Sequence, residues 1–201
     1  MQALPTSLPT SSSAPPAAPT LSVVLPTDAA RPEVEQFVAA IYRERFGAEL
    51  QQFAPLLVAR RDESGALVAA AGFRPADGGD LFLERYLDRP VHQTLAVPRA
   101  RIVEVGHLAA ARAGEGRKLV LQLAPLLAGR GFQWVVGTLT EELRHLFLRL
   151  GIAPQALGVA DPALLGDEAS RWGRYYDHRP LVLAGAIEPA LQALARRGVA
   201  A

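Results

Sequence analysis

The sequence predicts an α+β fold, a mixed sheet flanked by helices on both faces. Three features lead there. Two apolar runs flank the turn Asp62–Gly65 and form a hairpin. Apolar residues recur at helical spacing in several separate stretches. Strands and helices follow one another without the regular alternation that builds a parallel sheet.

Taken in order, Leu21–Pro26 (LSVVLP) is a short strand. Arg31–Gly47 is a helix: Val34, Phe37, Val38 and Ile41 share a face, Pro32 suits the first turn, and Gly47 suits the C-terminal cap. The hairpin occupies Pro55–Pro75. LFLERYL fits helix or strand, and Pro90 opens a short helix through Leu95. Arg101–Ala110 is a strand. Arg117–Arg130 is a helix whose Pro125 predicts a kink or an early end. FQWVVGTL is a strand. Thr140 suits the N-cap of EELRHLFLRL, which Gly151 terminates. ALGVA and LVLAGAI suit strands, RWGRYY is helical or irregular, and PALQALARR closes the chain as an amphipathic helix. Trp134, Leu143 and Leu146 read as core.

The 201 residues suit one domain with a tail. Residues 1–20, rich in Pro, Ser and Ala, read as disordered, which leaves 21–201 as a single folded domain. Basic and acidic residues nearly cancel, 21 against 20, so nucleic acid is not expected as a partner. The absence of cysteine excludes disulfides and a thiolate nucleophile, and fits a reducing, cytoplasmic setting. No apolar run is long enough for a transmembrane helix. The four histidines show no HxxxH or HExxH spacing, so no metal site is expected.

The chemistry concentrates in Arg101–Val120 (RIVEVGHLAAARAGEGRKLV). In a regular strand Glu104 and His107 point to opposite faces. A bulge at Gly106 turns them to the same side. The following AGEG opens a helix, so backbone N–H groups of a glycine-rich helix start, with Arg112, Arg117 and Lys118 nearby, form a natural anion site. A plain turn is the alternative reading. A carboxylate amid Ile and Val must find a partner or shift its pKa. Glu104 therefore suits a general base or a holder of an amine, against a structural Glu paired with an Arg. His107 suits a proton relay, against a core histidine bonded to backbone.

The strand, the AGEG loop, WVVGT and EELRHLFLRLG resemble the core of the GNAT-type N-acyltransferases. In those proteins the donor pyrophosphate sits on a Q/R-x-x-G-x-G/A loop. Gly114 and Gly116 match it, but Ala111 stands at the Q/R position and Arg112 is displaced by one. A closer resemblance, over Arg31–Ile187, is to the family called thermostable hemolysin. It rests on FAPLLVARRDESGALVAAAGFRPA, LFLERYLDRPV, IVEVGHLAA, LRHLFLRLG and WGRYYDHRPLVLAG. His92 and His107 depart from that pattern, which has an acidic residue and Asn there. The strand is also similar, locally, to that of the homoserine-lactone autoinducer synthases, a GNAT-like group fed by acyl carrier protein. Aligning the glutamates places Glu104 at their acceptor-amine site.

These resemblances imply a GNAT-like core with a mostly antiparallel sheet. They imply a donor that is acyl-CoA or the phosphopantetheine of acyl carrier protein, lying in a splay between central strands, and a small-molecule amine acceptor. Donor contacts then fall on Leu108, Ala109, Ala110, Arg112, Gly114, Gly116 and Arg117. Tyr175 or Tyr176 protonates the departing thiolate. Glu84, Tyr86, Asp177 and His178 contact the acceptor, although a solvated Glu84 and a packed aromatic corner at Tyr175–His178 are the plainer readings. The family name implies an alternative, a membrane-active lysin, and a non-catalytic binding module is a third reading.

Overall fold

The structure, a computed structural model, describes residues 18–197. The segment expected to be disordered lies outside the described residues as far as residue 17, and so do residues 198–201. The strands are β1 (Thr20–Val24), β2 (Leu56–Arg61), β3 (Leu67–Pro75), β4 (Ile102–Ala110), β5 (Trp134–Leu139), β6 (Gln155–Val159) and β7 (Leu181–Ala186). They form one seven-stranded sheet in the order β1-β2-β3-β4-β5-β7-β6. Only β4 and β5 run parallel; every other neighbouring pair is antiparallel. The helices are α1 (Arg31–Phe46), α2 (Val91–Leu95), α3 (Glu115–Ala128), α4 (Glu141–Arg149) and α5 (Ile187–Arg196).

Local chemistry explains these elements. The α1 helix ends at Gly47 with φ of 67°, a left-handed cap that favours glycine. The hairpin turn is tied by Asp62, whose carboxylate accepts from the N–H groups of Ser64 and Ala66. LFLERYL resolves as a 3-10 turn at Phe82–Tyr86. Pro125 does not stop α3, which runs on to Ala128. Thr140 holds the N-cap position of α4, but its side chain makes no capping bond.

Successive strand residues feed opposite layers. On one face, Val34, Val38 and Tyr42 of α1 pack on Leu57, Ala59, Ala70 and Ala109. On the other, Leu119, Leu123 and Leu127 of α3, with Ile187 of α5, pack on Val58, Ala71, Phe73 and Val103. Burying one such leucine stabilises the fold by about 1.5–3 kcal/mol.

The α3 helix is the crossover that a parallel β4–β5 pair requires. That pair holds together only from Ile102↔Trp134 to Glu104↔Val136. Beyond Glu104 the two strands separate, although β4 continues to Ala110 and β5 to Leu139. At the parting point a Cβ on Gly137 would lie 2.6 Å from the Val105 carbonyl oxygen, so this approach needs glycine.

Candidate active site

The site begins with a bulge in β4. Gly72 pairs with Gly106 and Ala70 with Ala109, so two steps along β3 oppose three along β4. The extra residue is His107, with φ of 52°. The bulge thus falls one residue after Gly106, the position the sequence suggested. A non-glycine residue in the left-handed region costs roughly 1 kcal/mol, a strain that tends to persist at functional sites. Gly72 makes the room: a Cβ there would stand 2.9 Å from His107 Nδ1 and 2.7 Å from the Ala54 Cβ.

The imidazole of His107 lies against Phe53, with ring centres 5.6 Å apart, and Tyr42, at 6.3 Å. Its Nδ1 is buried without a hydrogen-bond partner. Burial pushes its pKa down to about 4, against the opposing pull of a bond to the Gln52 backbone. The ring is therefore neutral near pH 7.

Glu104 accepts from the Leu83 N–H at 2.8 Å and the Phe82 N–H at 3.0 Å, at the start of the 3-10 turn. Its partners are backbone amides rather than an Arg. Burial raises its pKa, outweighing those two bonds and the nearby charge of Arg74. Arg74 sits directly opposite Glu104 on β3, on the same face of the sheet.

Around them opens a cleft of about 720 Å³. Glu104, His107, Tyr86, Tyr175 and Tyr176 line one stretch; Leu108, Ala110, Arg112, Gly114, Gly116 and Arg117 line the other. The Tyr86 and Tyr176 hydroxyls are 2.6 Å apart. Tyr175 donates to the Thr138 carbonyl at 3.1 Å. Burial raises the pKa of all three phenols, so each keeps its proton.

At the glycine loop, Gly114 takes φ of 88° just before α3. Gly116 has only an ordinary 3.6 Å contact waiting for a Cβ, so packing within the protein does not require glycine there. Glu115 turns away and is buried, paired with Arg60 and, at 2.9 Å, with Lys118. Arg112 pairs with Asp62 at 2.9 Å. Arg117 is exposed and makes no ion pair among the described residues.

Four residues expected at the site lie elsewhere. Ala109 is buried under α1, because the bulge turns it inward. Glu84 accepts from the N–H groups of Leu81 and Val91 and pairs with Arg99 at 2.8 Å, tying the turn to α2. Asp177 points to solvent. His178 leaves the cleft to bond Glu142 at 2.7 Å. Conversely, Leu143, read as core, lines the cleft, as do Arg74, Phe53, Phe82 and Trp172; Leu146 packs against the buried Val120, Leu121, Leu150 and Leu194 and also borders the cleft. Arg74 carries a visible signal: it is the one charge in the apolar run LVAAAGFRP.

A second, smaller cavity of about 90 Å³ lies on the α3 side of the splay. Val105 and Leu108 border both spaces. Its walls include Leu123, Gly137, Phe147 and Ala190, and carry almost no polar surface. Among the described residues no group of three or more His, Asp or Glu is placed to hold a metal ion. No described helix is long and apolar enough to cross a membrane.

A bulged fourth strand, a splay beside it and a glycine-opened helix define a GNAT-like fold. Solved structures agree with that class. TofI superposes with a TM-score of 0.62 at 19% identity, covering 88% of this chain and 96% of that one. The AHL synthase LasI gives 0.58 at 14%, covering 87% and 95%. FeeM, an N-acyl amino acid synthase from uncultured soil microbes, gives 0.57 at 10%, covering 86% and 94%. The family model for thermostable hemolysin matches residues 24–191, and the chain belongs to that family. No curated protein matches the sequence.

Proposed function

We propose that the protein is an N-acyltransferase of the cytoplasm, moving an acyl group from acyl-CoA or acyl carrier protein to a small-molecule amine. The observation that carries this reading is the bulge, which turns Glu104 and His107 into one cleft at the mouth of the β4–β5 splay. Neighbours described as CoA-dependent acyl-homoserine lactone synthases, MesI and BjaI, support it through the shared fold.

The donor phosphates lie at the α3 start, against the N–H groups near Gly114 and Gly116, with Arg117 and Arg112 adding charge. The pantetheine arm follows the splay, and the acyl chain enters the apolar cavity behind it. The amine, held at Glu104, attacks the thioester carbonyl. A C–N bond forms, and backbone N–H groups along Leu108–Ala110 face the developing oxyanion. The C–S bond then breaks. The thiolate takes its proton from Tyr175 or Tyr176, and the new amide nitrogen loses one to Glu104, directly or through water. His107, held neutral and lining the same cleft, relays that proton onward.

The test combines purified protein with acyl-CoA and acyl-carrier-protein panels and an amine pool, following free thiol and new amides by mass spectrometry. Amine-dependent product, lost in Glu104→Gln, is expected. Thiol release that persists unchanged in Glu104→Gln overturns the assignment of that residue. The family's name favours a second reading, a membrane-active lysin. Leakage of liposomes by the protein alone, without thioester or amine, supports the lysin; leakage only after acyl transfer points to a surface-active amide product.

A further inference from the structure

The cleft holds an anion and a cation side by side, and neither is used up by the other. Arg74 and Glu104 are directly opposed in the β3–β4 ladder and emerge on the same face. Side chains so placed stand about 5 Å apart at Cβ. Yet they form no ion pair. The Glu104 oxygens are held by the N–H groups of Leu83 and Phe82. Arg74 donates one bond, at 3.2 Å, to the Asp80 carbonyl. Both side chains line the cleft, and each has hydrogen-bonding capacity beyond those bonds. Beside them stand Phe82 and Trp172, with ring centres 5.5 Å apart, and Phe82 and Tyr86, at 5.8 Å. Tyr176 closes this group through its hydroxyl contact with Tyr86.

We infer that the acceptor is an α-amino acid with an aromatic or bulky apolar side chain. Its amine sits on Glu104, its carboxylate on Arg74, and its side chain against Phe82, Trp172 and Tyr86. The inference rests on the acyltransferase reading and narrows its acceptor. A simple amine would leave Arg74 facing the cleft unpaired. A carboxylate adds a charge-assisted bond that an amine alone lacks. A ring packed against the exposed edge of the Phe82–Trp172 pair gains apolar contact that a small polar amine does not.

The test compares acceptors that differ in one group. L-Phenylalanine, L-tyrosine, phenethylamine, tyramine and glycine are each supplied with decanoyl-CoA and with decanoyl-carrier protein. Amide formation is quantified, giving kcat and KM separately. L-Phenylalanine should exceed phenethylamine in kcat/KM by roughly tenfold or more, and exceed glycine likewise. In Arg74→Gln the ratio of phenylalanine to phenethylamine should fall toward one, mainly through KM, and Arg74→Lys should restore part of it. Thermal unfolding of each variant checks that it is folded. Acylation of phenethylamine as efficient as that of phenylalanine overturns the inference and leaves the acyltransferase reading standing. No acylation of any acceptor, with either donor, overturns both.

Discussion

The two ends of the cleft treat charge in opposite ways. At the α3 end, Glu115 is buried against Arg60 and Lys118, while Asp62 holds Arg112. The acids there are matched by bases, and Arg117 makes no ion pair among the described residues. At the β4 end, Glu104 has only backbone amides, Arg74 opposes it without contact, and the buried Nδ1 of His107 has no partner. Matched charges fix the shape of a loop. Unmatched polar groups in an aromatic cleft, charged or neutral, are costly in the resting protein, and those a ligand can reach become useful when it completes them.

The largest effect should come from breaking the unmatched end. Glu104→Gln should lower kcat/KM for acyl transfer by about 10²–10⁴, the span general-base groups contribute. Wild-type kcat/KM should also fall with falling pH through a limb above the usual glutamate range, because burial raises the Glu104 pKa. That limb should vanish in the variant. A wild-type acid limb retained in full by Glu104→Gln would move the base elsewhere.

His107 sharpens the contrast through stability. Its pKa falls from 6.5 to about 4 on folding, so between those values the unfolded chain binds a proton that the folded chain does not. Stability from this group is present above pH 6.5 and is lost as pH falls toward 4. The full difference is on the order of 3 kcal/mol. His107→Asn keeps a residue that tolerates the left-handed backbone and removes the titration. Urea midpoints across this range should fall more steeply for wild type than for the variant. Parallel curves would mean that His107 is not held neutral.

At the matched end the consequence should be structural. Glu115→Gln leaves Arg60 enclosed without a counter-charge. The pair is covered by area but has little protein beyond it, so the loss should sit at or below the low end of the ~3–5 kcal/mol for broken buried pairs, at about 2 kcal/mol. The pH profile of turnover should keep its wild-type shape. If Glu115→Gln shifts that profile while leaving the urea midpoint alone, the two ends are not different in kind.

The same contrast decides what was legible in the sequence. The hairpin, α1 with its Gly47 cap and the glycine start of α3 follow from local rules, and local rules suffice for them. The bulge sits one residue beyond the glycine that those rules single out. Glycine marks such a position, but here Gly72 on the neighbouring strand supplies the space and lets His107 take the strained backbone. That relation crosses strands and leaves no trace in β4 alone. Glu84 and Glu104 each follow apolar residues in the sequence; only the fold brings Arg99 to one and leaves the other to amides. Leu143 and Leu146 share a helical face, and α4 sets that face partly against the core, through Leu146, and partly along the cleft. Tyr175 and Tyr176 both reach the cleft because a 3-10 turn separates neighbours by about 120°.

The smallest expected effect tests the space behind the splay. Ala190 of α5 lines the apolar cavity, which Val105 and Leu108 divide from the cleft. Ala190→Leu fills part of it from the side away from every charged group. If the acyl chain ends there, the variant should shift its preference toward shorter acyl donors. Each methylene excluded should cost about 0.8 kcal/mol, or roughly fourfold in kcat/KM. Short donors such as butanoyl-CoA should be turned over as before, because neither end of the cleft is touched. A uniform loss over all chain lengths would mean instead that the larger side chain deforms the sheet, and an unchanged preference would place the acyl chain in the main cleft, beside the rings.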